Sequence, residues 1–158
     1  MRHAKSSWNT DGLGDHARPL NSRGRRSATA LGDWIRSKDL AVDQAYISTA
    51  QRTRETFAEL KLGCESVYLD SLYHAGANDM REVLKNAQGE TMLIVGHNPG
   101  IAWFARASLK VSPLHSRFDD YPTGATLVAT FDLLDWKDVQ PHQGVAADFV
   151  VPRELLED

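Results

Sequence analysis

Thr91-Met92-Leu93-Ile94-Val95-Gly96-His97-Asn98-Pro99-Gly100 decides the fold. Its first six residues form an uncharged, mostly apolar run, the pattern of a strand covered on both faces. Asn98 is a good N-cap and Pro99 a good first helical residue, so a helix is predicted from there to about Leu109. A doubly covered strand that turns directly into a helix is the unit of a parallel α/β sheet. In such sheets ligands bind beyond the carboxyl ends of the strands. His97 stands at one of those ends.

Outward from this stretch the same alternation recurs. Ala28, Leu31 and Ile35 fall at helical spacing within a helix predicted over 22–37, with Trp34 beside them. Residues 43–48 read as a short strand. Ser48 and Gln51 match a capping box, so the next helix is predicted to start at Ser48 and reach Leu60. Val67-Tyr68-Leu69 is a second short strand. Met80, Val83, Leu84 and Ala87 mark an amphipathic helix ending near Gly89. Residues 10–21 and 110–124 are rich in Gly, Pro and polar residues and read as loops. Ala125 to Leu133 and Val145 to Val151 read as late strands. The expectation is one α/β domain over 1–158, a three-layer sandwich with a mainly parallel central sheet and helices on both faces.

The opening, Met1-Arg2-His3-Ala4-Lys5-Ser6-Ser7-Trp8-Asn9, does not fit that alternation. A site residue here should also follow a strand, yet only Met1 precedes Arg2. Two expectations stand: a first strand is truncated, leaving unpaired backbone groups and an apolar slot, or the sheet is built without it.

Composition narrows the function classes. With 42% hydrophobic and 25% charged residues, the chain can bury a proper core. No apolar run approaches the roughly 20 residues of a membrane span, and the N-terminus has no signal-peptide core. The single cysteine, Cys64, excludes an internal disulfide and fits a reducing, cytoplasmic setting. Residues 1–26 hold six basic side chains against Asp11 and Asp15, a local balance of +4, while the remainder carries −7. That distribution suits a compact anionic ligand and argues against nucleic acid, for which a broad positive face is expected.

Arg2-His3-Ala4-Lys5-Ser6, Leu20-x-x-x-Gly24-x-x-x-Ala28, Ser48-x-x-x-Arg52-x-x-x-Thr56 and Gly96-His97 occur in that order. Together they resemble the histidine phosphatase superfamily, which includes the cofactor-dependent phosphoglycerate mutases. The Arg-His-Ala-Lys-Ser opening, Leu72-Tyr73-His74-Ala75, Gly96-His97-Asn98-Pro99-Gly100 and Tyr121-Pro122-Thr123-Gly124-Ala125 look most like its SixA-type phosphohistidine phosphatases. The resemblance implies a phosphoglycerate mutase-like fold and His3 as a nucleophile forming a phosphohistidine. A neutral imidazole can attack phosphorus and split one difficult step into two. Arg2 and Arg52 are expected to clamp the phosphoryl oxygens, since a guanidinium fork matches their geometry. His97, just before a helix N-terminus, is expected to donate to the phosphoryl group, and Asn9 to add a further hydrogen bond.

His74 stands where many relatives carry a glutamate acid, and a histidinium can donate a proton near neutral pH. SixA-type enzymes work without a dedicated carboxylate acid, so both assignments stay open. Ser48 reads as a helix cap, Lys5 as solvated, and His16, His115 and His142 as surface histidines. No metal or cofactor is implied. The expected substrate is phosphohistidine in a protein, reached because no insertion is long enough to form a substantial lid. A small phosphate ester is the alternative substrate, and a non-catalytic phosphate-binding module the alternative function. No membrane partner is expected, and no oligomeric state is assigned.

Overall fold

A computed structural model describes residues 1–9 and 11–156. Its elements run α1 (Ser22–Ser37), β1 (Gln44–Ser48), α2 (Gln51–Leu60), β2 (Glu65–Leu69), α3 (Ala77–Leu84), β3 (Met92–Val95), α4 (Gly100–Ser108), β4 (Thr126–Thr130) and β5 (Val145–Val150). Strands β2-β1-β3 form a parallel sheet, and β4-β5 an antiparallel pair. β1 is buried along its whole length, as the central strand of a covered sheet should be. Leu31, Ile35, Phe57 and Leu60 of α1 and α2 pack on one face with Ile47 and Val95. Met80, Leu84, Ile101 and Ala105 of α3 and α4 pack with Ile94 in a second cluster.

Two local expectations are corrected. α2 starts at Gln51, not Ser48, because Ser48 is the last residue of β1 and its hydroxyl accepts from the Ala50 N–H (3.3 Å) within the turn. α4 starts at Gly100 with Pro99 as its N-cap. Asn98 does not cap it: its Nδ2 donates to the Tyr121 carbonyl (3.0 Å), and its buried Oδ1 accepts no bond among the described residues.

The slot expected for a first strand is filled at one end only. Met1–His3 lies between the two sheets and bonds to both. Gly96 N–H donates to Met1 O (3.1 Å) and His3 N–H to Gly96 O (3.0 Å) on the β3 side. Arg2 N–H donates to Ala125 O (3.0 Å) and Gly124 N–H to His3 O (2.9 Å) on the β4 side. Three residues thus suffice to carry the hydrogen-bonded layer from β3 to β4. Beyond Met1 the facing edges of β3 and β4 border an apolar groove of about 850 Å³, lined by Ile35, Leu93, Ile94, Phe104, Leu127 and Ala129 among others. The Met1 amino group is buried at its end and donates to Ile94 O (2.9 Å). Burial lowers that amine from an ordinary value of 8.0 to about 5. Among the described residues no helix is long and apolar enough to cross a membrane.

Candidate active site

The carboxyl ends of β1 and β3 and the Met1–His3 segment converge on one cup of about 230 Å³, lined by Arg2, His3, Arg18, Arg52, His97 and Trp8 among others. His3 arrives on the ladder just described. Ala4 next to it is held by α2, whose Thr56 hydroxyl accepts the Ala4 N–H (3.0 Å) and donates to Arg52 O (2.7 Å). On the other side α1 presses against the backbone of Lys5. A Cβ on Gly24 would lie 2.0 Å from the Lys5 carbonyl oxygen, which explains the glycine in the Leu20-x-x-x-Gly24 pattern.

The His3 ring is buried, and its Nδ1 lies 2.7 Å from the Ala4 carbonyl. A carbonyl can only accept, so Nδ1 carries the hydrogen and Nε2 keeps its lone pair. Burial lowers His3 from 6.5 to about 3, against the Ala4 bond and aided by His97, Arg52 and Arg2. The ring is therefore neutral at physiological pH.

His97 faces it, with ring centroids 5.2 Å apart. Its Nε2 lies 2.8 Å from Ser48 Oγ. Ser48 Oγ accepts from Ala50, and Nε2 is the one acceptor for its own hydrogen among the described residues. The N–H of His97 then sits on Nδ1, which is buried and has no partner among the described residues. Burial, with the Arg52 charge next, lowers His97 from 6.5 to about 3.

Arg2 and Arg52 complete the cup. Arg2 Nη1 donates to Tyr121 O (3.1 Å), while its Nε is buried without a partner among the described residues. Desolvation and the neighbouring Arg52 charge lower the Arg2 pKa. Arg52 is 6% exposed and donates to the Asp15 carbonyl (2.7 Å) and carboxylate (3.1 Å). Two crowded guanidiniums and two unsatisfied donors form a pocket matched to an oxyanion.

The structure thus brings Arg2, His3, Arg52 and His97 together. It does not bring Asn9, which is exposed and outside the cup, its N–H bonded to Ser7 Oγ (3.1 Å). His74 is also exposed and outside the lining. Its ring lies tilted against Tyr73 (4.1 Å between centroids), and Tyr73 in turn packs edge-on to His97 (5.4 Å). Sequence reasoning missed Asp15, Arg18, Tyr73 and Trp8. Asp15 accepts from Arg18, Arg52 and the Tyr73 hydroxyl, and those bonds, Tyr73's first, hold its carboxyl well below the usual range. Their chain separation left no periodic signal, although Asp15 and Arg18 inside a polar loop invited attention.

Residues 1–74 match the model of the histidine phosphatase superfamily (branch 1). An uncharacterised protein of Mycobacterium tuberculosis is 35% identical over 161 residues, covering 97% of this chain and 100% of that protein. The structure of a protein assigned as the phosphohistidine phosphatase SixA of Nakamurella multipartitia superposes with a TM-score of 0.84 at 29% identity, covering 96% of this chain and 93% of that one. The chain belongs to the histidine phosphatase superfamily. Within the superfamily it is SixA-like. The fold also matches the protein histidine phosphatase SixA complexed with tungstate, with a TM-score of 0.76 at 16% identity over 99% of this chain and 97% of that one. The histidine phosphatase fold accounts for the parallel sheet, the four helices and the convergence of motifs at one sheet end.

Proposed function

We propose that the protein is a metal-independent phosphatase that works through a covalent phosphohistidine on His3 and acts on phosphohistidine in a protein. The observation that carries this reading is the pairing of a neutral His3, its Nε2 lone pair free, with His97 and two guanidiniums around one oxyanion-sized cup. Similarity to SixA structures supports the substrate class.

In the first step Nε2 of His3 forms a bond to phosphorus as the substrate's P–N bond breaks. The departing imidazole keeps the bonding pair and takes a proton from solvent. Arg2, Arg52 and the Nδ1–H of His97 hold the phosphoryl oxygens, where charge develops. Water then attacks phosphorus, loses its proton to solvent, and displaces neutral His3 with release of phosphate. No residue of the cup is assigned as an acid, and His74 lies outside it. The imidazole leaving group tolerates this better than an alkoxide, because its P–N bond is weaker and its nitrogen more easily protonated.

Comparing kcat/KM for a phosphohistidine peptide with p-nitrophenyl phosphate and sugar phosphates tests the assignment. The peptide is expected to lead. A higher value for the esters would make the protein a small-molecule phosphomonoesterase. Saturable phosphate binding without turnover of any substrate would make it a binding module.

A further inference from the structure

The most exposed aromatic side chain at the cup plays no part in the chemistry above. Trp8 is 77% exposed, yet its ring is not loose, because the Arg18 guanidinium lies beneath it, 3.4 Å from the centroid. Arg18 is itself buried and tied at every nitrogen. Its Nε donates to Ser7 O (3.0 Å), Nη1 to Asp15 (2.8 Å) and Nη2 to Ser6 Oγ. One face of the indole therefore rests on a fixed cation, and the other is open to solvent.

Trp8 and Arg18 line the same cup as His3 and His97. A phosphoryl group held by Arg2 and Arg52 leaves its leaving group at the rim, beside the indole. The cation below already engages the ring's π-density, so the open face favours a neutral planar ring over a second cation.

We propose that Trp8 is a stacking platform that selects substrates whose phosphoryl group is attached directly to a planar ring, such as the imidazole of phosphohistidine, over those with aliphatic or small leaving groups. Arg18 is the positioning residue that fixes the platform. The inference rests on the reading that the cup holds the phosphoryl group.

Phenylphosphonate and methylphosphonate, which are not hydrolysed, separate the two readings by calorimetry. The protein is expected to bind phenylphosphonate about tenfold more tightly, the scale of one aromatic stack. Trp8→Ala should bring the two affinities within about twofold, and Trp8→Phe should restore most of the preference. In turnover, Trp8→Ala should lower the kcat/KM ratio of phosphohistidine to phosphoramidate about tenfold.

Equal binding of both phosphonates by the wild-type protein, or a preference that survives in Trp8→Ala, overturns the platform while leaving the cup intact. Failure to bind either phosphonate removes the cup and the platform with it. A Trp8-dependent preference without any turnover upholds the platform and refutes the phosphatase reading. Trp8 is a surface residue, so its variants do not disturb the core.

Discussion

The cup and the groove lie at the two ends of the same three-residue segment, and they are built oppositely. At the His3 end, β1, β3, α2 and the loop before α1 all fix side chains by hydrogen bonds, several of them buried. At the Met1 end, β3 and β4 each pair on one edge, and apolar side chains line the space between. Positioning a nucleophile here takes the short ladder of Met1–His3 and the bonds around Ala4, whereas joining the two sheets along their length takes a full strand. Site geometry and sheet cohesion are thus separable in this molecule, and each can be perturbed without the other.

The largest expected effect short of removing the nucleophile falls on the cup. Arg52→Ala should cost about 2–4 kcal/mol of transition-state stabilisation, read as a fall in kcat/KM. If Arg52→Lys equals the wild type, a forked clamp is the wrong description.

Ser48→Ala sharpens the hydrogen-bond assignment. Losing the hydroxyl that fixes the His97 tautomer should lower kcat/KM about tenfold, the lower end for a supporting partner of a functional histidine. Melting temperature should change little by comparison. An unchanged kcat/KM would mean that the Ser48 hydroxyl does not set the state of His97.

Much of this arrangement was legible in the sequence. The uncharged run at Met92–Val95 has the pattern of a covered strand, and the helical spacing of Leu31 and Ile35 marks the buried face of α1. Arg52 and His97 were legible because each comes shortly after a strand end, whereas Arg2 and His3, with no strand before them, rested on the resemblance of their motif. Ser48 was read as a helix cap since a strand-end serine and an N-cap serine look alike locally. What separates them is His97, 49 residues away. Asn98 was misread for the same reason, its partner being the Tyr121 carbonyl. Trp8 on Arg18, and Asp15 on Tyr73 and on Arg52 of α2, are contacts made from loops, which carry no period. Asn9 was assigned by resemblance alone, and the turn at Ser7 directs it to solvent.

The groove yields to the complementary experiment. Adding about five β-branched residues ahead of Met1 should pair the free edges of β3 and β4, at roughly 3.3 Å of strand per residue. It should also replace the buried amine by a neutral peptide N–H. Stability is expected to rise by about 2 kcal/mol or more, or about 5 °C in Tm, with kcat/KM nearly constant. A large change in kcat/KM without a gain in Tm would show that the two regions are coupled after all.

A third handle is the pH dependence of stability. His3 and His97 have folded-state values near 3 and unfolded values near 6.5, so the unfolded chain binds more protons between those limits. Stability should therefore rise with pH from about 3 to 6.5, and this contribution should level off above. The Met1 amine adds a rise between about 5 and 8. His3→Gln should flatten the lower part of the curve in urea titrations. A wild-type stability that falls with pH across that range would contradict the burial of neutral rings.

Rapid quenching after brief exposure to a labelled phosphoryl donor, followed by mapping of the label, tests the nucleophile most directly. The expected result is acid-labile, base-stable label on His3, absent from His3→Ala, which should lose turnover but keep part of its phosphate binding. Turnover by His3→Ala at the wild-type rate, or label on any other residue, would contradict it.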